Sequence, residues 1–208
     1  MKQQGILAVV SGFSGAGKGT IMKALLEKYD NYALSISATT RKPRVGEEHG
    51  REYFFLTKEE FENMIANDQF IEHAQYVENY YGTPRPYVEE KMAEGKDVIL
   101  EIEIQGALKV KKKFPETLLV FVVPPSAEEL KRRLVGRGTE TAEVIEERMK
   151  RAVEESEMMD SYDYILVNDT VEKAVEDLHN LIQSQHMLTS CNGERITNMK
   201  NELKALMG

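Results

Sequence analysis

Continuous apolar runs alternate with segments of helical spacing along most of this chain. Ile6–Val10 is an unbroken apolar run with two valines, stopped by Ser11-Gly12, and predicts a strand buried on both faces. Ile21–Lys28 follows with helical spacing. Further apolar runs at Asp97–Ile104, Thr117–Val123 and Tyr164–Val167 each precede a helix-like segment, at Ala107–Lys113, Ala127–Leu134 and Val171–Gln185. Strands alternating with helices predict an α/β fold of three layers, with a mainly parallel central sheet covered on both faces.

Two stretches break the alternation. Residues 39–84 hold eight aromatics (Tyr53, Phe54, Phe55, Phe61, Phe70, Tyr76, Tyr80, Tyr81) among the chain's nine tyrosines and seven phenylalanines. Their short alternating runs predict a small antiparallel insertion around a helix near 58–66. Residues 126–157 are highly charged and interrupted by Gly136-Arg137-Gly138, which predicts two helices joined by a mobile loop. After Gln185, an Asn192-Gly193 turn leads to Ile196, Met199, Leu203 and Leu206 at the spacing of a short amphipathic helix, read as a packed or frayed terminus. No internal repeat or low-complexity tract is found. The division expected is a core of 1–38, 85–125 and 158–185, an insertion at 39–84, a lid at 126–157 and a tail at 186–208.

Composition narrows the class. The 208 residues suit one domain with an insertion or two, and 41% hydrophobic content argues against disorder. The longest apolar run, Leu118–Val123, is far shorter than the ~20 residues a bilayer requires, so no membrane anchor and a cytoplasmic location are expected. One cysteine, Cys191, and four histidines without ligand spacing give no zinc site. A net charge of −8 disfavours nucleic acid as a partner. Any bound phosphate must therefore be held by local basic clusters.

Such a cluster lies between the first strand and the first helix. Gly12-Phe13-Ser14-Gly15-Ala16-Gly17-Lys18-Gly19-Thr20 has the makeup and context of a phosphate-binding loop. Its glycines let backbone N–H groups turn around an anion, the helix N-terminus adds its dipole, and Lys18 supplies a full charge. A plain glycine turn could also join strand to helix, but it explains neither the lysine nor the placement. Gly19 occupies the position where a hydroxyl usually follows the lysine, so which hydroxyl approaches Mg²⁺ is left open, with Thr20 one residue later. Glu101, near the end of the Asp97–Glu103 run, could hold the metal directly or through water.

The insertion narrows the acceptor. In Ser37-Ala38-Thr39-Thr40-Arg41-Lys42-Pro43-Arg44, Gly46-Glu47, Tyr53, Phe70-Ile71-Glu72 and Asn79-Tyr80-Tyr81-Gly82-Thr83 the chain resembles the guanylate kinase family. The resemblance continues through Ile102-Glu103-Ile104-Gln105-Gly106, Gly136-Arg137-Gly138-Thr139-Glu140-Thr141 and Val167-Asn168-Asp169, and spans the first strand to about Gln185. It implies a P-loop fold with an inserted mixed α/β GMP-binding subdomain and a short helical lid. The implied reaction moves the γ-phosphoryl of ATP to GMP with Mg²⁺. Ser37, Arg41, Arg44, Tyr53 and Tyr81, with Gly82 beside them, would grip the GMP phosphate, and Glu72, Thr83 and Glu103 would face guanine. The chemistry agrees, because arginines offer planar forks to phosphate and a carboxylate accepts both N1–H and the 2-amino group of guanine, which adenine lacks. On residue types alone, a solvated basic loop and a half-buried sheet with an edge charge would read the same.

Arg137 and Arg148 match family positions that close over the phosphates, with Arg133 a weaker candidate; Asn168 is expected beside the adenine of ATP. Arg151 reads instead as a solvated helix residue balanced by Glu147. Two positions depart from the family pattern: Phe13 stands where proline is common, expected to alter only the loop's outer wall, and Glu101 and Glu103 stand where many members have aspartates. The rival readings are another nucleoside monophosphate kinase and a non-catalytic interaction module of the same fold. Oligomeric state, monomer or homo-oligomer, is not readable from the sequence.

Overall fold

The structure is a computed structural model that describes residues 4–136 and 141–207. The elements run β1 (Leu7–Gly12), α1 (Lys18–Lys28), β2 (Tyr32–Leu34), β3 (Ala38–Thr39), β4 (Phe54–Phe55), α2 (Lys58–Ala66), β5 (Phe70–Tyr76), β6 (Asn79–Pro84) and α3 (Arg85–Ala93). They continue with β7 (Asp97–Glu101), α4 (Ile104–Lys113), β8 (Leu118–Val123), α5 (Ala127–Gly136), α6 (Ala142–Ser156), β9 (Tyr164–Val167), α7 (Val171–Gln185) and α8 (Gly193–Met207). Short 3-10 turns precede β9 and α8.

Five strands form the central sheet in the order β2-β7-β1-β8-β9, all parallel. Period-two alternation sorts β1 between two cores. Ala8 and Val10 face Met22 and Leu25 of α1 and Leu178 and Ile182 of α7, while Val9 faces Val88 of α3 and Ala107 and Val110 of α4. The expected three layers are therefore present. Because the chain leaves β1 toward one side of the sheet and enters β8 on the other, a crevice opens at the carboxyl ends of β1 and β7, the place where open α/β sheets bind ligands.

A second sheet, β4-β3-β6-β5, carries the insertion. It is mixed rather than antiparallel as expected, because Ala38 pairs with Phe54 in parallel while β6 runs antiparallel to both β3 and β5. The fourteen-residue connection from 40 to 53 is long enough to return the chain in the same direction. Phe61 of α2 stacks on Phe70 at 4.3 Å and on Tyr80 at 5.3 Å, and a Thr57–Glu60 capping box starts that helix.

Three expectations shift. Strand β7 ends at Glu101 rather than 104, since Glu103 is already the N-cap of α4. Helix α3 was not expected; it buries only Val88 and starts after Pro84, with a proline in its first turn. The tail does form helix α8, but no residue of it is buried, and Met199, Leu203 and Leu206 are exposed rather than packed.

Candidate active site

The first βα turn is built by steric necessity. Gly12 has φ +146, and a Cβ there would stand 2.2 Å from the Val122 carbonyl oxygen on β8. Gly17, at φ +93, closes the loop onto α1, and a Cβ would meet the Asn168 amide nitrogen at 2.4 Å. Only glycine fits either place. Lys18 Nζ donates to the Gly12 and Phe13 carbonyls at 2.7 and 3.2 Å, which holds its charge over the loop.

Asn168 is buried, and its amide donates to the Ala16 carbonyl at 2.7 Å. Arg133 Nη2 donates to the Asn168 carbonyl at 2.9 Å, and its Nη1 reaches Ala16 O at 3.4 Å. Both residues thus hold the phosphate loop at the Ala16 carbonyl. Glu129 fixes Arg133 in turn, and its carboxyl is held down to about 2 by Arg132 and Arg133. Phe13 corrects an expectation: its ring turns inward, edge-on to Phe121 at 5.0 Å, and packs among Leu130, Leu134, Ile145 and Met149 of α5 and α6.

A cleft of about 700 Å³ runs from this loop to the insertion. Gly12, Ser14 and Lys18 line one end; Ser37, Tyr53, Tyr81, Gly82 and Glu72 line the other, with Glu101 and Glu103 between. Burial pushes the Glu72 carboxyl above its usual range, opposed by the Thr83 hydroxyl, which donates to Oε1 at 2.9 Å, and by the charge of Lys109. Thr83 is fully buried behind Glu72 and acts as its brace. Arg41 lies beside the tyrosines, 5.3 Å over the Tyr53 ring, with Nη1 and Nη2 donating to Glu47 at 2.9 and 3.0 Å. That fork lowers the Glu47 carboxyl's pKa and raises that of Arg41. Arg44 is exposed, and its backbone N–H donates to Glu47.

On α6, Arg148 Nη1 donates to Ser14 Oγ at 2.5 Å, so the lid helix meets the phosphate loop. Arg137 and the three residues after it, 138–140, lie outside the described residues. Thr20 is exposed in the first turn of α1, and Glu101 lines the cleft between its two ends. The sequence reading of Arg151 needs correction: its partners are Glu155 at 2.9 Å and Glu103 at 3.0 Å, across the cleft, rather than Glu147. Lys109, Gln105 and Glu155 line the cleft as well. Gln105 lies in the Ile102-Glu103-Ile104-Gln105-Gly106 motif, whereas nothing local in the sequence distinguishes the other two.

Residues 4–185 match the family model described as guanylate kinase. The chain is 54% identical over 187 residues to a guanylate kinase of Oceanobacillus iheyensis, covering 90% of this chain and 91% of that one. It is 50% identical over 204 residues to a guanylate kinase of Lactococcus lactis, covering 98% and 100%. The crystal structure of guanylate kinase from Anaplasma phagocytophilum superposes with a TM-score of 0.68 at 34% identity, over 91% of this chain and 90% of that one. A phosphate loop facing an acidic, tyrosine-lined pocket across one cleft, together with these matches over nearly the whole chain, makes this protein a member of the guanylate kinase family.

Proposed function

We propose that the cleft divides its labour along its length, with ATP phosphates at the loop Gly12–Thr20 and GMP at the end lined by Ser37, Tyr53, Tyr81 and Glu72. The reaction is that of the family, ATP and GMP giving ADP and GDP. The single observation that carries the division is the continuous cleft joining Lys18 to Glu72. GMP brings its own phosphate oxygen as nucleophile, so the protein needs no covalent intermediate and no dedicated general base. What remains is to hold two anions in line and to neutralise charge on the moving group.

Lys18 and the loop amides would take the donor phosphates. The hydroxyls of Ser37, Tyr53 and Tyr81 and the forks of Arg41 and Arg44 would take the GMP phosphate; Arg41 is close to both Tyr53 and Phe55, which supports that role. Glu72, with Thr83 behind it and Glu103 across the cleft, would read guanine. Arg148, and Arg137 from the lid connection, would close over the transferring group and exclude water.

Mg²⁺ fits this site as a phosphate-borne ion. Among the described residues no group of three or more His, Cys, Asp or Glu could hold a metal, but Glu101 offers one hard oxygen donor at the cleft wall. Glu101, completed by phosphate and water oxygens, would give the donor set Mg²⁺ prefers, and the ion would supply positive charge against the phosphates. Among the described residues no helix is long and apolar enough to cross a membrane.

A coupled ADP-release assay with GMP, AMP, CMP and dTMP as acceptors tests the reading, combined with two variants. GMP should be preferred by at least ~100-fold over AMP. Lys18→Ala should lower kcat by roughly 100-fold or more with GMP affinity nearly intact, whereas Arg41→Ala should raise the KM for GMP first. The reverse pattern would mean the two half-sites are exchanged, and a preference for AMP would overturn the role of Glu72.

A further inference from the structure

We propose that Arg151 is a positioning residue that orients the Glu103 carboxylate on the acceptor wall and thereby governs how well GMP is used. The inference rests on the division of the cleft given above and adds a residue to it.

Arg151 follows Arg148 at the i, i+3 spacing, so the two share one face of α6. From that face Arg148 reaches Ser14 of the phosphate loop and Arg151 Nη2 reaches Glu103 Oε1 at 3.0 Å. One turn of the lid helix therefore meets the donor end of the cleft with one guanidinium and the acceptor wall with the next. Arg151 is aimed as well as charged: its Nε donates to Glu155 Oε1 at 2.9 Å, one turn further along the same helix, and the Glu155 side chain is only 15% exposed. A planar fork anchored along one edge has its other edge fixed in direction.

Glu103 has need of such a partner. It is the N-cap residue of α4 but its side chain makes no cap hydrogen bond, and that side chain is 80% exposed, so its own helix does not orient it. Charge gives a second reason. The cleft is lined by four carboxylates (Glu72, Glu101, Glu103 and Glu155) against the cations Lys18, Lys109 and Arg151. An incoming nucleotide monophosphate is itself an anion, and Arg151 touches two of the four carboxylates that would repel it. An ion pair this exposed adds little to folding stability, so its effect is expected in substrate use rather than in melting.

Steady-state kinetics with ATP and GMP varied separately should be measured on the full chain, on Arg151→Ala, Arg151→Lys and Glu103→Gln, and on the Arg151→Ala/Glu103→Gln double variant. Arg151→Ala should raise the KM for GMP by about five- to tenfold, change kcat and the KM for ATP by less than about twofold, and melt with the unmodified protein. Arg151→Lys keeps the charge without the fork and should recover part of the loss. In the Glu103→Gln background, removing Arg151 should cost less than about twofold more, the signature of coupled residues. An unchanged KM for GMP in Arg151→Ala, or an equal fold loss with and without Glu103, would overturn the inference. Failure of the unmodified chain to phosphorylate GMP would sink the acceptor pocket and this inference together, whereas normal activity with a silent Arg151→Ala sinks this inference alone.

Discussion

Between Thr83 and Gly106 the Glu72 carboxyl sits where burial disfavours its ionised form, yet only the ionised form accepts two hydrogen bonds from guanine. The sign of its effect on stability follows. A group whose folded pKa lies above its unfolded value favours folding when protonated, so its contribution is present at low pH and is lost as pH rises through the folded pKa. At neutral pH Glu72 is thus a stability cost, one that the proposed recognition of guanine would account for. Glu72→Gln should melt at the same temperature as the unmodified protein or slightly higher, while kcat/KM for GMP falls by roughly 100-fold. The pH profile gives a second readout: kcat/KM for GMP should fall on the acid side at a pKa above the ordinary carboxylate range, and that limb should vanish in Glu72→Gln. A variant that melts lower and keeps the acid limb would count against this role. Lys18 was legible in the sequence from the glycine spacing between a strand and a helix, and Glu72 through the family resemblance carried by Phe70-Ile71-Glu72. Arg151 was not, because the residue that gives it meaning, Glu103, is distant in sequence and becomes a neighbour only once α6 reaches the N-terminus of α4.

Elements whose burial is continuous announced themselves. The apolar runs of β1, β7 and β8 and the spaced positions of α5 and α7 needed only period and length to be read; β9 was legible from its apolar run alone, although only Leu166 of it is buried. What escaped reading had little local signal: β2 is three residues long, and α3 buries a single side chain. The strand pairing of the insertion was misread for a related reason, since β3 and β4 are two residues each and their parallel register is set by the fold around them. The β5–β6 hairpin shows an element carrying local strain. Tyr76 pairs with Asn79, so Val77 and Glu78 form the turn, and Val77 has φ +54 with its side chain 77% exposed. A β-branched residue is disfavoured in that region, whereas asparagine enters it readily. Val77→Asn loses no burial and should stabilise the protein by about 1 kcal/mol, a rise of roughly 2–4 °C in Tm by differential scanning calorimetry. A lower Tm would show that the exposed valine makes contacts worth more than its strain.

At the scale of the molecule the two ends of the central sheet are built differently. At the end away from the cleft, buried Asp97 accepts hydrogen bonds from the Ile6 backbone N–H, Asn31, Gln183 and His186, tying β1, the α1–β2 connection, β7 and the end of α7 into one block. At the cleft end, among the described residues, Arg148 on Ser14 and Arg151 on Glu103 link α6 to the two half-sites, and α5 and α6 share a small core with Phe13. With the base of the sheet tied into one block, the motion expected on nucleotide binding falls in the insertion at 39–84 and in α6. Closing those parts over both nucleotides expels water, which protects the γ-phosphoryl from hydrolysis and strengthens each charge interaction inside. Small-angle scattering should therefore show the radius of gyration falling below the ~17 Å expected of a compact chain of this length when GMP and a nonreactive ATP analogue are added together, with each nucleotide alone giving less. Full compaction with the ATP analogue alone would place the trigger at Ser14 and Arg148. No compaction with both would mean that the lid tethers seen here already define the working state.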